Sequence, residues 1–304
     1  MTSAPLIGWI GAGRMGVPMA GFILKAGYSV IVFSRSAASR QKLVSQGARE
    51  AGSAGECARA ADIVFTSLPD DATLRAVALG PQGVLAAARS GAIFADTSTV
   101  STEVSGEIER EAKQRGIAYL RIPISGNAAS AQRGEVTALV SGPLPAWNSV
   151  RPVVEAFSKA QVYLGEGEQA RIMKLVVNLL VVNLAQALAE GLALGRKAGL
   201  DWGQMLDTIA QSTVASPWLK AKAALLKQRD FTVTMSTRLI LKDLDLMLAT
   251  ARASDVPLPL TAATRQLMQA LIGEGYGEED YMSAVKLLEK QSGLTELEVQ
   301  QQKD

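Results

Sequence analysis

The sequence contains no histidine and only one cysteine, Cys57, in 304 residues. Without histidine there is no Ser-His or Cys-His catalytic pair and no His-ligated metal site, and no metal is expected. A lone cysteine forms no intrachain disulfide, so a reducing cytoplasm is the expected compartment. Acid–base chemistry near neutral pH is left to Lys, Tyr, Asp, Glu or Cys57. Excess charge is missing as well: 31 Lys and Arg stand against 29 Asp and Glu, scattered along the chain. That provides no basic footprint for nucleic acid and no polybasic segment for a membrane surface. Hydrophobic residues make up 48% of the chain, with no repeat or low-complexity tract, which suits an ordinary globular core.

Two apolar stretches resemble targeting or spanning segments. The start, "MTSAPLIGWIGAG", lacks a basic n-region and runs directly into glycines. From Ile172 to Gly195 the chain is long enough to cross a bilayer, but Lys174, Asn178, Asn183, Gln186 and Glu190 interrupt it. A charge at membrane depth is costly, so a buried core helix and no membrane partner are expected.

In the first half, β-rich runs ("LIGWI", "SVIVF", "DIVFTSL", "AIFAD", "AYLRI", "VTALVS", "QVYLG") occur, the early ones separated by amphipathic stretches such as Met15 to Ala26 and Thr102 to Gln114. Such alternation argues for a mostly parallel sheet covered on both faces. After Gly165 and Gly167 the β signal stops. Helical patterns follow over Glu168–Ala198, Asp201–Gln211, Pro217–Lys227, Met235–Ala253, Leu258–Ile272 and Tyr281–Gln291. "GEGEQ" is the expected hinge, dividing the chain into residues 1–165 and an all-helical domain of residues 166–304. The polar end "TELEVQQQKD" is expected to fray.

The first strand runs into "GAGRMG". Gly11, Gly13 and Gly16, with Ala12, Arg14 and Met15 between them, form G-x-G-x-x-G at a strand-to-helix junction. The first glycine serves the tight turn, the second the approach to a pyrophosphate, the third close helix–strand packing. Unpaired N–H groups at the helix start would face the phosphates. The fold class is therefore α/β, with an N-terminal Rossmann-type doubly wound, mostly parallel sheet followed by an all-α C-terminal domain. About 20 residues past the glycines, NAD-binding folds place an acid against the ribose 2′-hydroxyl. Here Ser34, Arg35 and Ser36 stand instead. They suit a 2′-phosphate, so NADP is favoured, with NAD as the other possibility. Later strands end in "SLPD" (Leu68 and Pro69 within it), "DTST" (ending at Thr99) and "PISGN" (Ser125, Gly126, Asn127). Small or polar residues thus gather at the C-terminal edge, where open α/β sheets bind ligands.

The helix "QARIMKLVVNLLVVNL" carries Lys174 and Asn178, four residues apart and so on one face. A lysine on an apolar helix can simply snorkel to water. Burial and a nearby positive charge would instead favour the neutral amine and fit it for proton transfer.

Together, "GAGRMGVPMAGFILKAG", "DTST", "PISGNAASAQRGEVTALVSG", "GEGEQARIMKLVVN" and "LKDLDLML" resemble the β-hydroxyacid dehydrogenase family, which includes 3-hydroxyisobutyrate dehydrogenases and tartronate semialdehyde reductases. The resemblance covers nearly the whole chain. It implies a nicotinamide-binding domain, a helical domain, and assembly into homodimers or homotetramers. It also implies that Lys174 is the catalytic lysine and Asn178 the amide beside it. Ser125, Gly126 and Asn127 match the segment that holds the substrate carboxylate, and Leu68, Thr99 and Lys242 match positions near the cofactor. Two residues depart from the family pattern: Asn127 stands where a second glycine is usual, and Arg121 where an aspartate is usual. Asn127 could read an extra substrate hydroxyl, whereas Arg121 faces either an anion or a salt-bridge partner. Lys242 and Asp243 also fit a solvated helix pair.

The expected activity is hydride transfer between NADP and a small 3-hydroxy carboxylic acid, or the matching semialdehyde or keto acid. The alternatives are a non-catalytic NADP-binding regulator or scaffold and, against the evidence of Lys174, an imine reductase. Replacing Ser34 with Asp should shift preference toward NAD by about tenfold, the effect of one well-placed polar contact. The check is the ratio of kcat/KM values for NADPH and NADH, and an unchanged ratio counts against the 2′-phosphate reading.

Overall fold

A computed structural model describes residues 4–295. The stretch from Glu296 to Asp304, most of the tail expected to fray, lies outside the described residues. The chain divides into two compact units, Met1–Val177 and Asn178–Asp304.

In the first unit the apolar runs become strands β1 (Ile7–Ile10), β2 (Val30–Phe33), β3 (Arg49–Glu50), β4 (Ile63–Thr66), β5 (Ile93–Asp96) and β6 (Ala118–Arg121). They form one parallel sheet ordered β3-β2-β1-β4-β5-β6. The winding direction reverses between β1 and β4, and such a switch point is where open α/β sheets bind ligands. Side-chain alternation divides the core in two. Ile7, Trp9, Val30, Val32 and Phe65 pack in one layer with Met19 and Ile23 of the helix Gly16–Lys25. Ile10, Ile31, Val64 and Phe94 pack in the other with Leu74 and Ile108. Cys57 belongs to this second layer. Burial pushes its thiol pKa up to about 12, so it is a packing residue and not a nucleophile.

The chain then departs from a single sheet. The runs "VTALVS" and "QVYLG" do form strands, β8 (Val136–Val140) and β9 (Ser158–Tyr163), but these join β7 (Ile124–Ser125) in a second sheet, β7-β8-β9. Pro123 follows β6 and has no N–H to extend the ladder; the chain turns there, and β7 pairs antiparallel with β8. At the seam, the Arg121 and Ser141 backbones exchange hydrogen bonds of 2.8 and 2.9 Å.

The helix Gln169–Lys197 runs 29 residues and is long and apolar enough, by length and composition, to cross a membrane. In the structure Leu175, Val182, Ala189 and Leu192 on it are buried, while Ile172, Val176, Leu180 and Leu194 are exposed. The second unit is helical, with Trp202–Gln211, Pro217–Lys227, Thr237–Ala253, Pro259–Gly273 and Ala284–Gln291. The last is entered through a 3-10 turn, Tyr281–Ser283, where the sequence pattern read as one continuous helix. Asp201, Ser216 and Ser236 cap three of these helices, each accepting a backbone N–H from the first turn. Asp280 holds the loop ahead of the helix Thr237–Ala253. It accepts from Lys222 Nζ at 2.8 Å and from the Thr234 N–H at 2.9 Å. Burial pushes the Lys222 pKa down, with Asp280 opposing it.

The first core layer centres on three rings. Trp9 stacks on Phe65 at 5.4 Å, and Phe157 meets both edge-on at 6.2 Å. Phe157→Ala should therefore lower stability by about 3–5 kcal/mol, measured by denaturant unfolding of the full chain.

Candidate active site

The glycine turn is shaped by crowding. Gly11 has φ +99°, and a Cβ there would lie 2.3 Å from the Ser67 carbonyl oxygen. A Cβ on Gly16 would lie 2.0 Å from the Gly11 carbonyl oxygen. At Gly13, by contrast, a Cβ would meet nothing within 4 Å. The three positions thus divide into a turn, an open approach and a close packing contact. The helix Gly16–Lys25 starts without a side-chain cap, so no side chain of its own takes the first-turn N–H groups that suit a phosphate. These features fit a dinucleotide pyrophosphate.

Beyond β2, Ser34 is half-buried and Arg35 and Ser36 are exposed. The Ser36 hydroxyl caps the helix Ala37–Val44. Arg40, not anticipated from the sequence, donates to the Ser34 carbonyl and pairs with Glu50 at 2.7 Å. Its signal was present: an arginine one turn into the helix after Ser-Arg-Ser returns to that loop.

The loops after β4 and β5 are tied to each other. The Leu68 N–H donates to Ser98 Oγ at 2.9 Å, and the Ser98 hydroxyl donates to Asp96 Oδ1 at 2.6 Å. Thr66 Oγ1 also donates to Asp96 Oδ1 at 2.6 Å. A Cβ on Gly11 would come within 3.1 Å of Leu68 Cδ2. The glycine turn, Leu68 and the loop that carries Thr99 are therefore adjoining parts of one edge. Pro69 is exposed beside Leu68.

Ser125 ends β7, and Gly126 and Asn127 follow, exposed, with Gly126 at φ +148°. Asn127 Oδ1 accepts the Ser130 N–H at 3.0 Å, and Ser130 Oγ accepts the Asn127 N–H at 2.8 Å. This capping box starts the helix Ala128–Gln132, a role of Asn127 that the sequence reading did not include. Arg121, left open between an anion and a salt-bridge partner, is fully buried and pairs with Glu109 at 2.7 Å and Glu168 at 2.6 Å. Burial pulls its pKa down, but the two carboxylates outweigh that and hold it charged.

Lys174 is 7% exposed, in the second turn of the helix Gln169–Lys197. One turn earlier, Arg171 is buried against the β5 loop, a contact the sequence reading missed. Its Nη2 donates to Asp96 Oδ2 at 2.5 Å and to Tyr119 Oη at 2.8 Å, and its Nη1 donates to the Ser98 carbonyl at 2.5 Å. In the second unit, Asn178 is 8% exposed and its Nδ2 donates to Asp243 Oδ2 at 2.6 Å. Lys242 Nζ lies 3.0 Å from the other oxygen of Asp243. Asp243 is fully buried, so the pair is not the solvated one that its sequence also fitted. Asp243 is the partner that orients the Asn178 amide. Lys242 and Asn178 thus meet on one carboxylate, while the other candidate residues belong to the first unit.

The family model described as the NAD binding domain of 6-phosphogluconate dehydrogenase matches residues 6–165. That described as NAD-binding of NADP-dependent 3-hydroxyisobutyrate dehydrogenase matches residues 168–288. The 2-(hydroxymethyl)glutarate dehydrogenase of Eubacterium barkeri is 34% identical over 95% of this chain and 96% of its own. The structure of Mycobacterium tuberculosis 3-hydroxyisobutyrate dehydrogenase with L-serine superposes with a TM-score of 0.85 at 26% identity, covering 94% of this chain and 99% of that one. A protein named Psf3, solved with NADP+ and 2-OPP, gives 0.84 at 26% identity, covering 93% and 99%.

The contrast within the glycine turn is testable. Gly13→Ala should leave stability within about 0.5 kcal/mol yet weaken binding of the NAD(P)H dinucleotide about tenfold by narrowing the open approach. Gly16→Ala should lower stability by about 1–3 kcal/mol. Thermal melts and NADPH fluorescence titration separate the two effects.

Proposed function

Because the chain belongs to the β-hydroxyacid dehydrogenase family and is an NAD(P)-dependent hydroxyacid dehydrogenase, we propose that it uses NADP and a small 3-hydroxy carboxylic acid or its semialdehyde. In this reading Lys174 is the general acid and base. The observation that carries it is a lysine only 7% exposed, on a helix whose preceding turn is bonded to the loop at the C-terminal end of β5.

The glycine turn, Leu68, Pro69 and Thr99 would hold the dinucleotide. Ser34, Arg35 and Ser36, with Arg40 behind them, would take the 2′-phosphate, and the Psf3 complex with NADP+ supports that choice. Bound nicotinamide supplies or accepts the hydride. In oxidation Lys174, as the neutral amine, takes the proton from the substrate hydroxyl. In reduction it is the ammonium, polarising the carbonyl and then protonating the alkoxide. Ser125 and Gly126 offer a hydroxyl and backbone N–H groups to the substrate carboxylate. Asn178, the amide one helical turn beyond Lys174, is oriented by Asp243, and Lys242 lies against that same Asp243 carboxylate.

The substrate is a small carboxylate. Leu180 and Leu194, 64% and 73% exposed on the long helix, support pairing with a second copy, as a homodimer or homotetramer. The single buried cysteine supports a reducing, cytoplasmic setting.

The test is NADPH oxidation with a panel of small aldehyde and keto acids, run beside Lys174→Ala. Loss of the acid and base should cut kcat about 10²–10⁴-fold, with NADPH affinity retained. Binding without turnover of any panel member would favour a scaffold, and full turnover by Lys174→Ala would remove the lysine from the mechanism.

A further inference from the structure

Two buried charges that the proposed chemistry does not use, Arg171 and Asp96, meet at the start of the helix that carries Lys174. Arg171 and Asp96 are 1% and 0% exposed. The guanidinium makes three contacts of 2.5–2.8 Å, to the Asp96 carboxylate, the Ser98 carbonyl and the Tyr119 hydroxyl. Glu168, in the turn before it, is held in turn by Arg121 at 2.6 Å. The Ala170 N–H donates to Ser141 Oγ at 3.2 Å. The first turn of the helix is therefore held from several directions, and Arg171 is the side chain through which it bonds Asp96 and the Ser98 carbonyl. Through Ser98 that loop also bonds the Leu68 N–H, so one guanidinium is joined to both loops assigned to the cofactor. Arg171 precedes Lys174 by three residues, on the same helix face.

Resting on the reading of Lys174 as the acid and base, we propose that Arg171 is a positioning residue for the reaction. Its fork on Asp96 and Ser98 sets where Lys174 sits relative to the two loops. A lysine at position 171 keeps the charge but has no planar fork, so it cannot hold carboxylate and carbonyl together. Such a loss displaces the helix turn without removing a group that touches cofactor or substrate.

The experiment uses the full chain with Arg171→Lys, and with Asp96→Asn as a second variant that keeps shape and removes charge from the other side. Three quantities are measured: NADPH affinity by fluorescence, kcat per NADPH-binding site on a panel acid that wild type reduces, and the acetylation rate of Lys174 by mass spectrometry against the other lysines. In both variants kcat per site should fall about 10²-fold, the effect of a small misplacement of a reacting group. NADPH affinity should change less than about threefold, and Lys174 acetylation should shift about tenfold as the turn loosens. A purely structural role lowers the number of binding sites and leaves kcat per site and the Lys174 rate within about twofold of wild type; that result overturns the proposal. So does a loss of NADPH affinity that accounts for the whole fall in kcat. If one variant does not fold, the other decides. Turnover by Lys174→Ala would strike the acid–base reading alone, and the acetylation rate would still report whether Arg171 places the lysine.

Discussion

The carboxylate of Asp96 is fully buried at the end of β5, and its neighbourhood is organised around that fact. An isolated buried carboxylate is very costly. Thr66 and Ser98 donate to one oxygen and Arg171 to the other. Arg171 is then a buried cation with the same requirement, met by Asp96, Tyr119 and the Ser98 carbonyl. Burial pulls its pKa down, but Tyr119, Asp96 and Glu168 outweigh that and keep it charged. Removing one member of such a pair leaves the other stranded, at a cost of about 3–5 kcal/mol. The sheet edge and the start of the long helix therefore hold together as one body within the first unit.

The cofactor end of the same edge rests on steric constraint, with no buried charge at the glycine turn. At Gly11 and Gly16 a single Cβ would collide with backbone oxygens, so the turn keeps its form by excluding atoms. The open space at Gly13 lies between them. A nicotinamide enzyme needs both devices: a backbone cradle rigid enough to place a dinucleotide, and a proton-transfer group held in register with it. Here the cradle comes from close packing, and under the proposed role of Lys174 the second device would be the helix start clamped by Arg171.

The regular elements were legible because hydrophobic periodicity reports burial directly. The run "SVIVF" and the stretch Thr102–Gln114 appear as a strand and a helix almost where their patterns place them. β3 and β7 were not legible, because two-residue strands carry no period. The separate second sheet was missed because a strand pattern does not name its partner, and Pro123 redirects the chain. At the site, Gly11, Gly13 and Gly16 were readable because their roles are local. Asp243, Arg171 and the Arg121–Glu168 pair were not, because each acts through a residue distant in sequence; Arg40 bonds Ser34 and Glu50 nearby, and its local signal was passed over. Asn127 shows the opposite case: its capping box with Ser130 is local and could have been read from the sequence, which was read only for a ligand role.

Within one strand or helix, the order of residues alone determined the alternating faces of the sheet, the glycine turn and the shared face of Lys174 and Asn178. These depend on backbone geometry and spacing, which sequence specifies. Which carboxylate answers which buried donor was decided only by the tertiary structure. Arg171 finds Asp96, Asn178 finds Asp243 and Lys222 finds Asp280, each across a long loop of chain. An ion pair or hydrogen bond requires an approach of about 3 Å, and only the packed fold brings such distant residues that close.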